Sequence, residues 1–360
     1  STQSRSSAAS DVYKRQLWAQ EGLVQTLIMI SLHGESIQSV IQQKPELWVD
    51  QIVSGLLFNA DADLWRRTNR KLPLIAEASP KSFLKAVQNS LQKIEPEIIG
   101  MFRTKTDFLG ESSSHTGLLW ALEGLAWLPE YLFQATDILL KLAELDPGGN
   151  LSNRPAKSLV DIYRPWYFQT LAPFNERMEI LQVAIKNNQK QGWELLRKLM
   201  PKNHDNGSSI NKMRWRLFDK NITLNYSIHE AHSTYHVLSD QMLDLFDNSD
   251  EKLAAIIEHS AQMTSSEDCE KMLAFIEKNY LYIPKNSIVS RDKTRKILHR
   301  HRSSPDAYWS LNQDLLIRYQ TLYDALEPEN PTAKYKWLFS SYQVYFPEGR
   351  LEIEDNNQDE

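Results

Sequence analysis

Residues 118–132, LLWALEGLAWLPEYL, are apolar up to Pro129 apart from Glu123. At helical spacing Leu118, Leu122 and Leu125 form one stripe. Trp120, Gly124 and Trp127 form a nearly opposite one, with Glu123 beside it. A helix that is apolar on two sides has to be covered on two sides. Pro129, Glu130 and Asp137 interrupt the run before it reaches bilayer length. The stretch therefore reads as a central helix, and the rest of the chain has to supply flanking helices.

Helical periodicity continues through most of the sequence. It predicts helices near 17–31, 44–58, 61–68, 71–78, 80–93, 117–128, 129–145, 175–187 and 190–200. Others are predicted near 227–247, 250–260, 265–278, 288–300, 310–325 and 331–340, with Pro or Gly in most gaps. The 12 glycines in 360 residues are about half the usual share, which favours helix over turn and strand. AEASPKSFLKAVQNSL and LAWLPEYLFQATDILLKL both run helix, proline, helix. Pro80 and Pro129 suit the first turn of the second helix, where a missing N–H costs nothing. The echo is irregular. The expected fold is all-α: an irregular α-solenoid of antiparallel helix pairs, stacked in the HEAT or TPR manner, over residues 17–345. A sub-boundary is expected near 203–211. Residues 221–226, NITLNY, alternate with period two and read as a short strand. Residues 146–174 break the helical pattern and form a long connection rich in aromatics and arginine.

The net charge of −5 gives no global field for nucleic acid. A lone cysteine, Cys269, cannot form an internal disulfide or a cysteine zinc cluster, which fits a cytoplasmic protein. Residues 6–16, SSAASDVYKRQ, resemble the translated adaptor scar found at the ends of metagenomic reads. Residues 1–16 are accordingly expected to be disordered and to lie outside the fold, the natural chain continuing from near Leu17 within a longer reading frame. Residues 346–360 carry six acids and one arginine and read as a solvated tail or a cut end.

Several side chains are candidates for chemistry. Glu123 is an acid within an apolar helix. A buried carboxylate can act as a general acid or base, but is more often a paired structural group, here with Arg154 or His115 as potential partners. His229, His232 and His236 share one helical face, and the i, i+4 pair His232 and His236 has zinc-chelating spacing. The motif is not H-E-x-x-H, since the histidine after Glu230 comes one residue too early. RDKTRKILHRHR, residues 291–302, gathers Arg291, Arg295, Lys296, His299, Arg300 and Arg302 into a basic stripe. It suits either a solvated face or an anionic partner. Arg214 and Trp215 in KMRWRLFDK, and Arg154, Arg164 and Trp166 in the 146–174 connection, have the composition of interface hot spots. The alternative for both is aromatic packing into the fold. The sequence contains no Walker phosphate loop, no G-x-G-x-x-G and no G-x-S-x-G elbow. No catalytic residue, cofactor site or metal site is assigned.

LLWALEGLAWLPEYL, LAELDPGGNLSNRPAKSLVDIYRPW, GWELLRKLMPKNHD, ILHRHRSSPDAYWSL and YKWLFSSYQVYFPEG together resemble the helical C-terminal region of large bacterial STAND-type NTPases, some of them linked to antiviral defence. The resemblance spans roughly residues 72–349. It implies a non-catalytic sensor that binds a protein ligand, in some cases viral. It also implies coupling to an NTPase domain upstream in the same parent chain, with oligomerisation through that parent. No catalytic residue of the family maps onto this chain, because the phosphate loop does not. The alternatives are a general helical scaffold or oligomerisation region, and a nucleic-acid-binding helical domain.

Overall fold

Helices carry almost all the regular structure in the computed structural model, which describes residues 2–37, 43–103, 105–107, 110–202, 204–217, 224–284, 286–339 and 344–350. They are α1 (Thr2–His33), α2 (Pro45–Leu57), α3 (Ala62–Thr68), α4 (Leu72–Ala78), α5 (Pro80–Leu91), α6 (Thr116–Ala126), α7 (Pro129–Leu145) and α8 (Pro155–Tyr163). They continue as α9 (Phe174–Asn187), α10 (Gln189–Leu199), α11 (Ile228–Asp244), α12 (Asp250–Ser260), α13 (Ser266–Asn279), α14 (Val289–Arg302), α15 (Gln313–Ala325) and α16 (Pro331–Tyr335). Among the described residues the fold is all-α apart from one antiparallel hairpin, β1 (Lys105–Asp107) with β2 (Gly110–Ser112). No described helix is long and apolar enough to cross a membrane.

The helical periods are where the sequence puts them, and Pro80 and Pro129 open α5 and α7 as expected. Other features differ, beginning with the hairpin at 105–112, which was not expected, and α16, which ends at Tyr335. The connection at 146–174 contains a helix of its own, α8, again opened by a proline. The backbone of α1 is helical from Thr2, through the stretch expected to lie outside the fold. Of the strand expected at 221–226, residues 221–223 lie outside the described residues, and 224–226 have no regular structure.

Two units divide the chain: Ser1–Leu195 with Asn206–Glu230, and Leu196–Asp205 with Ala231–Glu360. In the first unit α6 is central. One side packs on α4, α7 and α8, and Leu118, Leu122 and Leu125 are buried there. Each such side chain contributes roughly 1.5–3 kcal/mol of apolar burial. Its other side is the side of Trp120 and Gly124. An extended segment, residues 206–217, lies along it: a Cβ added to Gly124 would come 3.3 Å from Met213. Asn211 Nδ2 donates to the Trp120 carbonyl (3.0 Å) and Trp127 Nε1 to the Asn211 carbonyl (3.1 Å). The Trp120 side chain itself stays 48% exposed.

In the second unit α12 packs on α13 and α14, and α14 on α15, around Leu253, Ile256, Met272, Leu298 and Tyr319. Short polar side chains open these helices. Ser249, Ser265 and Asn312 accept from backbone N–H groups of α12, α13 and α15, satisfying donors no helix can satisfy internally. Asp250 reaches across from α12 and accepts from Val289 N (2.8 Å) and Ser290 N (2.9 Å) at the start of α14.

Two buried histidines tie this unit's stability to pH. His259 and His301 are each pushed down to about 4, chiefly by burial. His301 uses its neutral form, since its Nδ1 accepts from Leu311 N (3.0 Å). Both values lie below the ordinary 6.5, so the unfolded chain binds more protons across that window. Stability should therefore be fully present above 6.5 and fall as pH drops towards 4, by up to about 3 kcal/mol per group. Urea unfolding from pH 7.5 to 4.5 checks this. His301→Asn, which keeps an acceptor, should flatten the acid limb, and an unchanged limb in both His301→Asn and His259→Asn would contradict it.

Candidate functional site

The segment 206–217 crosses α4, α6 and α8 with few backbone bonds of its own, so buried side chains must supply its partners. Glu123, on α6, accepts from Asn211 N (3.0 Å) and from Ser158 Oγ (2.6 Å). Burial pushes its carboxyl up from the usual range, and these two donors act against that shift. Glu77, on α4, accepts from the backbone N–H groups of Arg214 (3.3 Å), Trp215 and Arg216 (2.7 Å). The Arg216 guanidinium donates back to the carbonyls of Glu77 and Ala78. Gln169 accepts from Ile210 N (2.9 Å) and donates to the carbonyls of Ser208 (2.9 Å) and Asp161 (3.0 Å). Asp161 accepts from Ser208 Oγ (3.0 Å), Lys157 and Arg164 (2.9 Å).

Neither potential partner of Glu123 touches it. Arg154 pairs with Asp146 (3.0 Å) and donates to the Leu151 and Gly148 carbonyls, closing the 146–154 turn. His115 is fully buried and stacks on Phe102 at 4.7 Å. The Asn153 carbonyl can only accept, so His115 Nε2 donates to it (2.6 Å) and Nδ1 accepts from Ser113 Oγ (2.5 Å). Burial holds its pKa down, consistent with a neutral ring. Glu123 is thus a clamp on the strap.

The connection at 146–174 presents an aromatic run. Trp166 stacks on Tyr167 (5.9 Å), Tyr167 meets Tyr226 (5.2 Å), and Tyr226 meets Phe168 edge-on (5.2 Å). Trp166 is 39% and Tyr226 43% exposed. The buried Arg164 backs Trp166 at 5.3 Å, and the buried Arg177 lies 3.8 Å over Phe168. The hot-spot candidates here therefore divide: Arg164 is internal, Trp166 is presented, and Arg154 closes a turn. Arg214 is exposed and lies 5.4 Å over the partly buried Trp215 ring.

The histidine face stays open on α11. His229, His232 and His236 are all exposed, and His236 Nδ1 lies 2.5 Å from Asp268. Among the described residues no three metal-ligating side chains are grouped to hold an ion.

The basic stripe turns inward along one edge. Arg295, His299 and Arg302, one turn apart on α14, donate to three consecutive carbonyls of a second strap, residues 344–350. Arg295 bonds Tyr345, His299 bonds Phe346 (2.9 Å) and Arg302 bonds Pro347 (2.8 Å). Gly349, at φ 106°, lets this strap return against α14, where a Cβ would come 3.2 Å from Arg302 backbone. Arg291 is buried over Tyr323 (4.2 Å) and reaches Glu327 (3.4 Å). Arg300 lies over Trp309 (4.5 Å). Where α14, α16, the turn Lys336–Phe339 and the second strap meet, a cavity of about 340 Å³ opens. Its wall includes Arg291, Arg295, Lys296, Lys336, Tyr323, Trp337 and Tyr345.

Sequence reasoning missed Glu77, Gln169, Asp250, Lys336, Trp337 and Tyr345. Glu77 and Asp250 are visible only as acids at helix ends, and what they bind lies 137 and 39 residues away. Comparison with protein-family models, curated proteins and solved structures gives no match.

The clamp geometry sets the cost of removing either carboxylate. Glu123→Ala strands the Asn211 N–H and the Ser158 hydroxyl, and should cost about 2–3 kcal/mol. Glu123→Gln keeps an acceptor and should recover most of the loss. Glu77→Ala should cost about as much, and the double variant less than the sum, because both hold one strap. Urea midpoints at constant slope measure all three. A Glu123→Ala midpoint equal to the parent would mean the strap is held elsewhere.

Proposed function

We propose that this chain is a non-catalytic protein-recognition region, built as stacked helix pairs in the manner of an α-solenoid. Its parent would be a cytoplasmic bacterial STAND-type NTPase of antiviral defence, with the NTPase domain upstream. The observation that carries the reading is the half-exposed aromatic run Trp166, Tyr167 and Tyr226. Tyrosine and tryptophan bring large contact area with few rotatable bonds, and dominate protein interface energetics. Here they are also pre-set. Arg164 backs Trp166, and the Asp161, Gln169 and Ser208 bonds fix the backbone on either side. A surface ordered in advance loses less entropy on docking. The resemblance at 72–349 supplies the class of partner, a protein ligand of viral origin in the antiviral members.

Coupling to an upstream NTPase would require the ligand to bind one arrangement of the parent better than another. The clamped strap gives a rigid body through which such a preference can act. Nucleic acid is the poorer partner for this chain, because with Arg295 and Arg302 turned to the strap carbonyls and Arg291 buried the stripe is not a continuous exposed row for a phosphate backbone.

Pull-down of candidate phage proteins tests the reading. Trp166→Ala and Tyr226→Ala should each weaken capture by about tenfold or more, as hot-spot truncations do. Both should leave the urea midpoint near that of the parent. Capture indifferent to both substitutions would remove this surface from the proposal. In the intact parent, a wild-type response after deletion of residues 72–345 would overturn the sensor reading.

A further inference from the structure

The cavity beside α14 has features that a clamp does not need. Four cations line it, Arg291, Arg295, Lys296 and Lys336, against one acid, Asp292. Asp292 is already engaged by both Arg295 and Lys296 (2.8 Å). Lys336 is exposed, and Glu327, outside the wall, pairs with Arg291 (3.4 Å) and with Lys334. Arg295 is 97% buried, since its relative exposure is 3%, and its Nε has no hydrogen-bond partner among the described residues. A local excess of positive charge within a half-enclosed wall attracts an anion more strongly than the same charges spread over an open helix.

The rest of the wall is aromatic. The Arg295 guanidinium lies 4.4 Å from the Trp337 ring centre and that of Arg291 4.2 Å from the Tyr323 ring centre. Tyr345, edge-on to His299 at 5.1 Å, contributes a third ring. Guanidinium planes stacked on rings form flat cationic surfaces that accept a further planar group. The volume, about 340 Å³, falls within the range of small-molecule sites and suits one ring system with one acidic group. A bare inorganic anion would leave the rings unused, and a neutral aromatic would leave the charge unmatched.

We infer that the cavity formed by Arg291, Arg295, Lys296, Lys336, Tyr323, Trp337 and Tyr345 is a binding site for a small planar aromatic anion. Two sources share that chemistry, a nucleoside monophosphate and an aryl carboxylate. The site is independent of the protein surface at Trp166. Its wall includes the second strap, whose Tyr345 carbonyl is held by Arg295. Occupancy therefore stabilises the strap as well as the ligand, because anything that binds only the closed wall shifts it towards closure.

Titration calorimetry on the full chain with adenosine 5′-monophosphate, indole-3-acetate, adenosine and inorganic phosphate tests this. At least one of the two aromatic anions should bind about tenfold or more tighter than adenosine and phosphate. Binding of the nucleotide alone assigns the first source, of the carboxylate alone the second, and of both the shared class. Lys336→Glu should weaken that binding by about tenfold, with Lys336→Gln between, and neither should move the thermal midpoint. In hydrogen exchange the bound anion should protect the amides of 344–350 and leave those of 206–217 unchanged. Binding no tighter than phosphate, or insensitive to Lys336→Glu, overturns the proposal. So does protection spread equally over both straps.

Discussion

Irregular backbone laid over apolar helices has to find hydrogen-bond partners, and in this protein buried charged side chains provide them. A segment without helix or ladder leaves a donor and an acceptor unmatched at nearly every residue, and each costs as much as a lost hydrogen bond when water is excluded. The 206–217 strap meets that demand with carboxylates, Glu77 and Glu123, which accept four of its N–H groups. The 344–350 strap meets it with cations and an imidazole, which donate to three of its carbonyls. The two solutions have opposite sign, and each matches the half of the peptide group it serves. A carboxylate offers several lone pairs to converging N–H groups, and a guanidinium offers a fork of donors.

This arrangement explains why charged residues sit in positions that otherwise read as core. An acid in the middle of LLWALEGLAWL is costly to bury, and burial does raise its pKa. Two hydrogen bonds to Glu123 offset part of that cost, because charge-assisted bonds are stronger than neutral ones. The same logic makes the clamps asymmetric under mutation. Apolar replacement of the acid alone strands every donor it held, whereas glutamine keeps one accepting oxygen and strands fewer.

The helices were legible in the sequence because their signal is local: a 3.6-residue period, prolines at first turns, few glycines. The shorter α8 was not, because Pro155, Arg154 and the surrounding Gly, Asn and Ser residues also suit a loop. Glu123 was legible as an anomaly but not in its role, since Asn211 is 88 residues away. Two-sided burial of α6 was also foreseen, but a strap rather than a helix supplies the second cover. The basic stripe shows the limit most clearly. A helix with Arg at 291, 295 and 302 has the same pattern whether that face meets water, phosphate or its own chain. Only the placement of Tyr345, Phe346 and Pro347 distinguishes these.

Straps held by side chains also differ dynamically from the helices beneath them. A helix loses its backbone bonds only by unwinding, but a strap can lift by breaking a few side-chain bonds, so it belongs to the low-energy end of local opening. For the 206–217 strap that opening would uncover the Glu123 and Gly124 side of α6 and part four N–H groups from the two carboxylates that hold them. Those consequences make lifting cooperative with the loss of the unit's centre. The 344–350 strap closes over cationic side chains, which water or an anion can solvate once it lifts. Its opening free energy therefore depends on what else satisfies Arg295 and Arg302. Buried carboxylates make the first strap part of the fold, and partly satisfied cations make the second an element whose order responds to its surroundings.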